Sequence, residues 1–386
     1  MKRFLILVLM MSMMMSGCGW FQGEYHSVTP HHNTTNDRDG EVVSASNYGE
    51  LRDALKEIIH NGVETCVINV ANYERSTVEY GMKLAADFIQ ITDPIGAYAV
   101  ESIRYDLGTS GAVPAIAVEV TYRHGASELR QIQTVHGMES VAEKIGISLE
   151  RYDSSLVLLV DGYENVDLMQ IAEDYAAAHP DSVMEVPLVT KQTYPENGKL
   201  RVLDLKFSYQ NSRDDLRQMQ RQVSPVFAAA ELYVSGNDAD IRKYAQLSSF
   251  LMERFGEYQI KTSITPAYSL LRHGVGDSEA FAVVYAQMCR RAGLESRTVT
   301  GTRDGEPWCW NMVSSNGYYY HVDLLRSSAG EFRLLTDAQM DHYVWDYSAY
   351  PACTGEPAER PETAVPEATI PGETTMPESS IPEPTE

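Results

Sequence analysis

One helix followed by three aromatic-rich strands, between residues 274 and 323, limits this chain more than any other feature. The run Gly274-Val275-Gly276-Asp277-Ser278-Glu279-Ala280-Phe281-Ala282 opens a helix that ends at Gly293. Ser296 to Gly301 then reads as a strand, followed by Glu306-Pro307-Trp308-Cys309-Trp310-Asn311 and Gly317-Tyr318-Tyr319-Tyr320-His321-Val322-Asp323. A helix laid on consecutive strands implies an α+β layer, with the strand aromatics in its core or along a cleft wall.

The order and spacing of these pieces resemble the transglutaminase-like superfamily, whose core is papain-like. The resemblance implies a cysteine at the start of the helix, a histidine two residues before the Trp-Asn pair, and an aspartate at the end of the last strand. In this chain those places hold Ser278, Trp308 and Asp323, so the aspartate alone matches. Tyr350-Pro351-Ala352-Cys353 resembles the closing segment of lipoprotein members and widens the likeness to residues 235–353.

In such a site a helix dipole and a neighbouring histidine give the cysteine thiolate character, and the aspartate orients the histidine. Ser278 keeps the size of a nucleophile, but a hydroxyl needs a base at neutral pH. The indole of Trp308 offers an N–H and no basic lone pair. Asp323 would then face an indole with which it can still hydrogen-bond. Trp308, Trp310 and Tyr319 are candidate walls for binding a peptide or a sugar by stacking. The expected function is non-catalytic binding or scaffolding. The alternative is a residual serine-dependent hydrolase or acyltransferase, acting on protein glutamine or peptide, that uses Ser278, His321 and Asp323. Cys309 stands beside the missing histidine and should alternate to the opposite face from Trp308.

Lys2 and Arg3, the apolar run Phe4 to Met15, and Met15-Ser16-Gly17-Cys18 resemble a bacterial lipoprotein signal. That resemblance implies lipidation at Cys18 and anchoring on the extracytoplasmic face of the cell membrane. The formal net charge of −23 speaks against nucleic acid as a partner. The expected partners are the membrane, through the N-terminal lipid, and a cell-wall polymer, a peptide or an exported protein. Cys66, Cys289, Cys309 and Cys353 lack metal-ligand spacing, and neither a metal nor a cofactor is expected. Cys289 with Cys353 is a possible disulfide, and four free thiols are an equal alternative.

The domain reading follows. Residues 1–17 are the signal and 18–46 a flexible spacer whose His26, His31 and His32 read as solvated. Residues 47–125 and 136–212 read as two tandem αβαββ units with a period near 90 residues; Val67-Ile68-Asn69-Val70 aligns with Val157-Leu158-Leu159-Val160. In the second, Val183 to Thr190 and Leu200 to Tyr209 form a hairpin through Pro195-Glu196-Asn197-Gly198. Tyr73 and Tyr163 end equivalent strands. Residues 213–353 hold a helical lead-in and the papain-like α+β domain, with a strand expected at Phe332 to Leu335. Residues 354–386, with eight Glu against one Arg and regular prolines, form a disordered tail.

Overall fold

The computed structural model describes residues 43–258, 264–326 and 331–355. The signal segment with Cys18, most of the spacer and the tail from residue 356 lie outside the described residues. Among the described residues no helix is long and apolar enough to cross a membrane.

The first α/β segment starts with α1 (Tyr48–His60), capped by the Asn47 side chain and burying Leu51, Leu55, Ile58 and Ile59 on one stripe. Strand β1 (Thr65–Asn69), helix α2 (Val78–Ile91), a short α3 (Pro94–Ala99), β2 (Val100–Ser110) and β3 (Val113–Tyr122) follow, in a sheet ordered β1-β3-β2. Tyr98 and Ala99 close α3 just ahead of β2. Asp93, whose carboxylate accepts from the Gly96 N–H, and Pro94 at the first turn supply its helix-start signal.

The second segment has α4 (Ala126–Leu129), β4 (Gln133–His136), α5 (Gly137–Arg151), β5 (Ser155–Asp161), α6 (Leu168–Ala178), β6 (Leu188–Tyr194) and β7 (Leu200–Ser208). Its sheet runs β4-β5-β7-β6, with β4 parallel to β5 and the other pairs antiparallel. The β6 strand starts at Leu188 and not at Val183. Val183 and Met184 are fully buried and belong to two different clusters, so that stretch is held by packing and not by a strand ladder. Tyr98 and Ala99 of α3 bury against Val202, with Val157 and Leu159 beside them, so the face of this sheet away from its own helices is also covered.

Helices α7 (Arg213–Tyr233), α8 (Asp240–Met252), α9 (Pro266–His273) and α10 (Ser278–Arg291) then pack on one face of an antiparallel sheet ordered β12-β11-β10-β13. Its strands are β10 (Ser296–Arg303), β11 (Glu306–Ser315), β12 (Tyr318–Val322) and β13 (Tyr343–Trp345), and β8 (Gly256–Glu257) pairs with β9 (Val275–Gly276) beside it. The residues Gly274 to Gly276, read as the opening of α10, instead end α9 and form β9. Gly274 adopts φ +80° as the cap of α9, and a Cβ on Gly276 would lie 2.8 Å from that of Ala280. The expected strand at Phe332 to Leu335 is reduced to a single bridge between His321 and Leu335.

Tyr244 ties this layer together. Its hydroxyl lies 2.6 Å from the Glu295 carbonyl and 3.0 Å from that of Ser314, and Tyr285 donates to the Tyr244 carbonyl at 2.9 Å. We expect Tyr244→Phe to cost about 1–3 kcal/mol, because buried carbonyls lose their donor. Urea unfolding of the two proteins would measure it.

Candidate functional site

Alternation along β11 divides the site. Asn311 and Val313 face the helices: the Asn311 amide donates to the Ala282 carbonyl at 2.8 Å, and Val313 joins the helical core. Trp310 and Met312 face the other way, into a cluster with Tyr343, Trp345 and Cys353, while Trp308, near the start of the strand, packs at the edge of that cluster and also borders the cavity beside Ser278.

Ser278 begins α10, with Asp277 as the cap accepting from the Ala280 N–H at 3.0 Å. The Ser278 hydroxyl accepts from the Cys309 backbone N–H at 3.2 Å, so the first turn of the helix is pinned to the middle of the sheet. Burial, the largest influence, pushes the Cys309 thiol up to about 11, and Glu279 and Asp277 add to it. At neutral pH that thiol is not a thiolate nucleophile.

Asp323 is buried just past β12. Its carboxylate accepts from the Trp308 indole N–H at 2.9 Å, the Tyr343 hydroxyl at 2.5 Å and the Leu325 N–H at 2.9 Å, and Arg303 lies 3.6 Å away. The Arg303 guanidinium also sits over the Trp308 ring, 5.0 Å from its centre. Gly301 makes this closure feasible: a Cβ there would come within 2.3 Å of the Val344 carbonyl, and so would push β13 and Tyr343 away.

His321 is fully buried on the far side of the sheet from α10. Its Nδ1 accepts from the Trp310 indole at 2.9 Å, which leaves the proton on Nε2 to be donated to Asp337 at 2.9 Å. Both nitrogens are spent in the interior, and among the described residues no histidine lines the cavity at Ser278. The Ser278, His321 and Asp323 alternative therefore has no proton path: β12 turns His321 into the aromatic cluster and away from the helix.

His321, Asp337 and Cys353 also bring three metal-type donor atoms within 4.8 Å of one another. The Trp310 N–H on Nδ1 keeps Nε2 protonated and without a lone pair, and Asp337 already accepts from the Cys353 N–H at 3.0 Å. This is a hydrogen-bonded knot that closes the core, and its donors are engaged with one another. Cys353 lies in this cluster and Cys289 in the helical core on the opposite face; both are free, so the possible disulfide between them is not made.

The cavity beside Ser278 measures about 890 Å³. Trp308 lines it with Pro307, Cys309, Thr300, Tyr258 and Tyr350, and Asp174 and Ala178 of α6 form the opposite wall. Arg290 of α10 donates to the Ala178 carbonyl and so fixes that wall. Trp310 and Tyr319, read as binding residues, do not line the cavity. Trp310 is buried under the sheet, and Tyr319 packs against the same aromatic cluster near the far end of β12. Tyr258 carried no sequence signal, whereas Tyr350 lay in the closing segment already singled out.

The family model of the transglutaminase-like superfamily matches residues 228–324, which contain α8, α9, α10 and the strands β10 to β12. The chain carries a transglutaminase-like domain. Among solved structures, this chain is similar to a crystal structure of a TGase, with 9% identity, a TM-score of 0.25, and 58% of this chain and 64% of that one covered. A second is a "putative cysteine protease" from Cytophaga hutchinsonii, with 11% identity, a TM-score of 0.26, and 41% and 66% covered. The chain spans less than two thirds of either structure. A search of curated proteins finds no match. In this transglutaminase-like domain, the positions that the resemblance assigns to cysteine and histidine hold Ser278 and Trp308.

Burial lowers the His321 pKa below its usual 6.5, and the bond and charge of Asp337 oppose the shift without cancelling it. The folded state holds this ring neutral, while the unfolded chain takes a proton near 6.5. Its contribution is therefore present above that pH and lost as pH falls through the lower folded value. We expect the melting temperature to fall below pH 6.5 in the wild type, and to fall less in His321→Gln. A thermal series from pH 5 to 8 checks this, and parallel curves would remove the assignment.

Proposed function

We propose that the transglutaminase-like domain is a binding module without acyl-transfer chemistry, and that its ligand is an extended peptide or glycan lying in the cavity against Trp308. The observation that carries this is the Trp308 indole N–H on Asp323 at 2.9 Å. The acid that would orient a base orients an aromatic wall in its place, and Ser278 has a backbone donor but no base. A cavity of about 890 Å³ with Trp, Tyr and Pro in its lining suits stacking on a sugar ring or a peptide.

The test compares retention of the full chain on cell-wall fragments and on exported proteins. Trp308→Ala should reduce retention at least fivefold, and Trp308→Phe, which keeps the wall and loses the N–H, should retain most of it. Equal retention in all three would remove the cavity from the reading. Amine incorporation into a glutamine peptide should be the same for wild type and Ser278→Ala; a loss specific to the alanine variant would restore the enzyme alternative.

The wider proposal is a lipoprotein displayed at the cell surface, supported by Lys2, Arg3, the apolar run to Met15 and the Cys18 motif. Radiolabelled palmitate should enter the wild type and not Cys18→Ser, and the variant should leave the membrane fraction. A variant that stays labelled and membrane-bound would contradict anchoring at that residue.

A further inference from the structure

A second concave site lies at the corner formed by the end of β5 and the β6–β7 hairpin, with a volume of about 670 Å³. Lys191, Lys199 and Arg201 line it, and among the described lining residues Glu164 alone carries a carboxylate. In a chain of net charge −23, three cations against one acid is a local reversal.

The partners of these cations sharpen the point. Lys199 lies 3.3 Å from Glu164. Lys191 donates to the neutral amide oxygen of Asn165 at 2.6 Å. Arg201 donates through Nε and Nη1 to the Gly198 and Glu196 carbonyls, at 2.7 and 2.6 Å, and lies over the Tyr163 ring at 4.6 Å. Two of the three charges are thus held in place by neutral groups and not neutralised, and Arg201 Nη2 has no protein acceptor among the described residues. Holding the guanidinium in advance lowers the entropy lost when an anion binds.

The first α/β segment supplies an internal comparison. Its strand end and hairpin tip, residues 69–75 and 108–113, hold a single cation, Arg75, where the second segment holds three. The sheet architecture alone therefore does not demand a cluster of three cations at this corner.

We propose that Lys191, Lys199 and Arg201 form a binding site for a soluble phosphate-bearing anion, separate from the Ser278 cavity. A phosphate group offers enough oxygens to accept from three cations at once, where a carboxylate offers two. The concave corner and the overall negative charge favour a small molecule or flexible polymer over an anionic membrane face.

The experiment is calorimetric titration of the full chain with sodium pyrophosphate, with citrate in parallel. Wild type should bind pyrophosphate saturably and at least tenfold more tightly than citrate. Lys191→Ala and Arg201→Gln should each weaken that binding tenfold or more, while Lys83→Ala, on an exposed part of α2, should not. Lys191 is exposed, so its variant should melt with the wild type and report binding rather than folding. No saturable binding, equal affinity for citrate, or equal loss in Lys83→Ala would overturn the site. So would retention on phosphatidylglycerol vesicles that depends on Lys191 without binding of pyrophosphate, which would assign the corner to a membrane.

Discussion

A buried carboxylate at Asp323 dictates the arrangement around the Ser278 cavity. Leaving such a group without donors costs several kcal/mol, so its neighbours are constrained by what they can donate. Trp308 supplies an N–H from β11, Tyr343 an O–H from β13, and Leu325 a backbone N–H, with the Arg303 charge close by. The need to bring Tyr343 in explains the close approach of Val344 to Gly301. It also explains why the chain returns after β12 to add a fourth strand beside β10. The same carboxylate that would hold a catalytic imidazole serves as an anchor for an aromatic wall and a closing strand.

A second buried network lies under the same sheet. Trp310, His321, Asp337 and the Cys353 backbone are bonded in series, and each member fixes the hydrogen-bonding role of the next. Tryptophan can only donate, so His321 must accept at Nδ1 and donate at Nε2, and Asp337 must accept from it. The chain direction of this series removes His321 from acid–base work and fastens residues 337–353 across the sheet. Positions 308 and 310, two apart on one strand, thus both use an indole N–H toward a partner on or just beyond β12.

Much of this was legible in the sequence, for identifiable reasons. The α10 helix and the strands after it follow from period and spacing, because small residues and aromatics in that order leave few other layers, whereas the contact between Trp308 and Asp323 is what the resemblance to the transglutaminase-like superfamily implies. The side of the sheet that each aromatic reaches was harder to read. By residue type Trp310 and Tyr319 read as cavity walls, but alternation and depth along the strands place them in the opposite cluster. Short elements are harder to read: Asp93-Pro94 opens α3 in the gap between a longer helix and a strand, and Gly276 belongs to β9 and not to α10. The wall provided by α6 was not legible at all. It depends on a contact between Arg290 and Ala178, more than a hundred residues apart in the chain.

That wall changes the part the α/β segments play. Asp174 and Ala178 are on the second segment, yet they face Ser278 and Trp308 across one cavity. Arg291 extends the junction through ion pairs with Asp181 and Glu231, but both are partly open to solvent and contribute little on their own. The firmer tie is apolar: Tyr152 and Met184, from the second segment, are buried in the same cluster as the helices α7 to α10. The transglutaminase-like domain and the segment before it are consequently one packed body around the cavity. In the proposed binding role, the α6 side chains would share with Trp308 the selection of what enters the cavity, whose surface the α10 and β11 pattern alone does not describe.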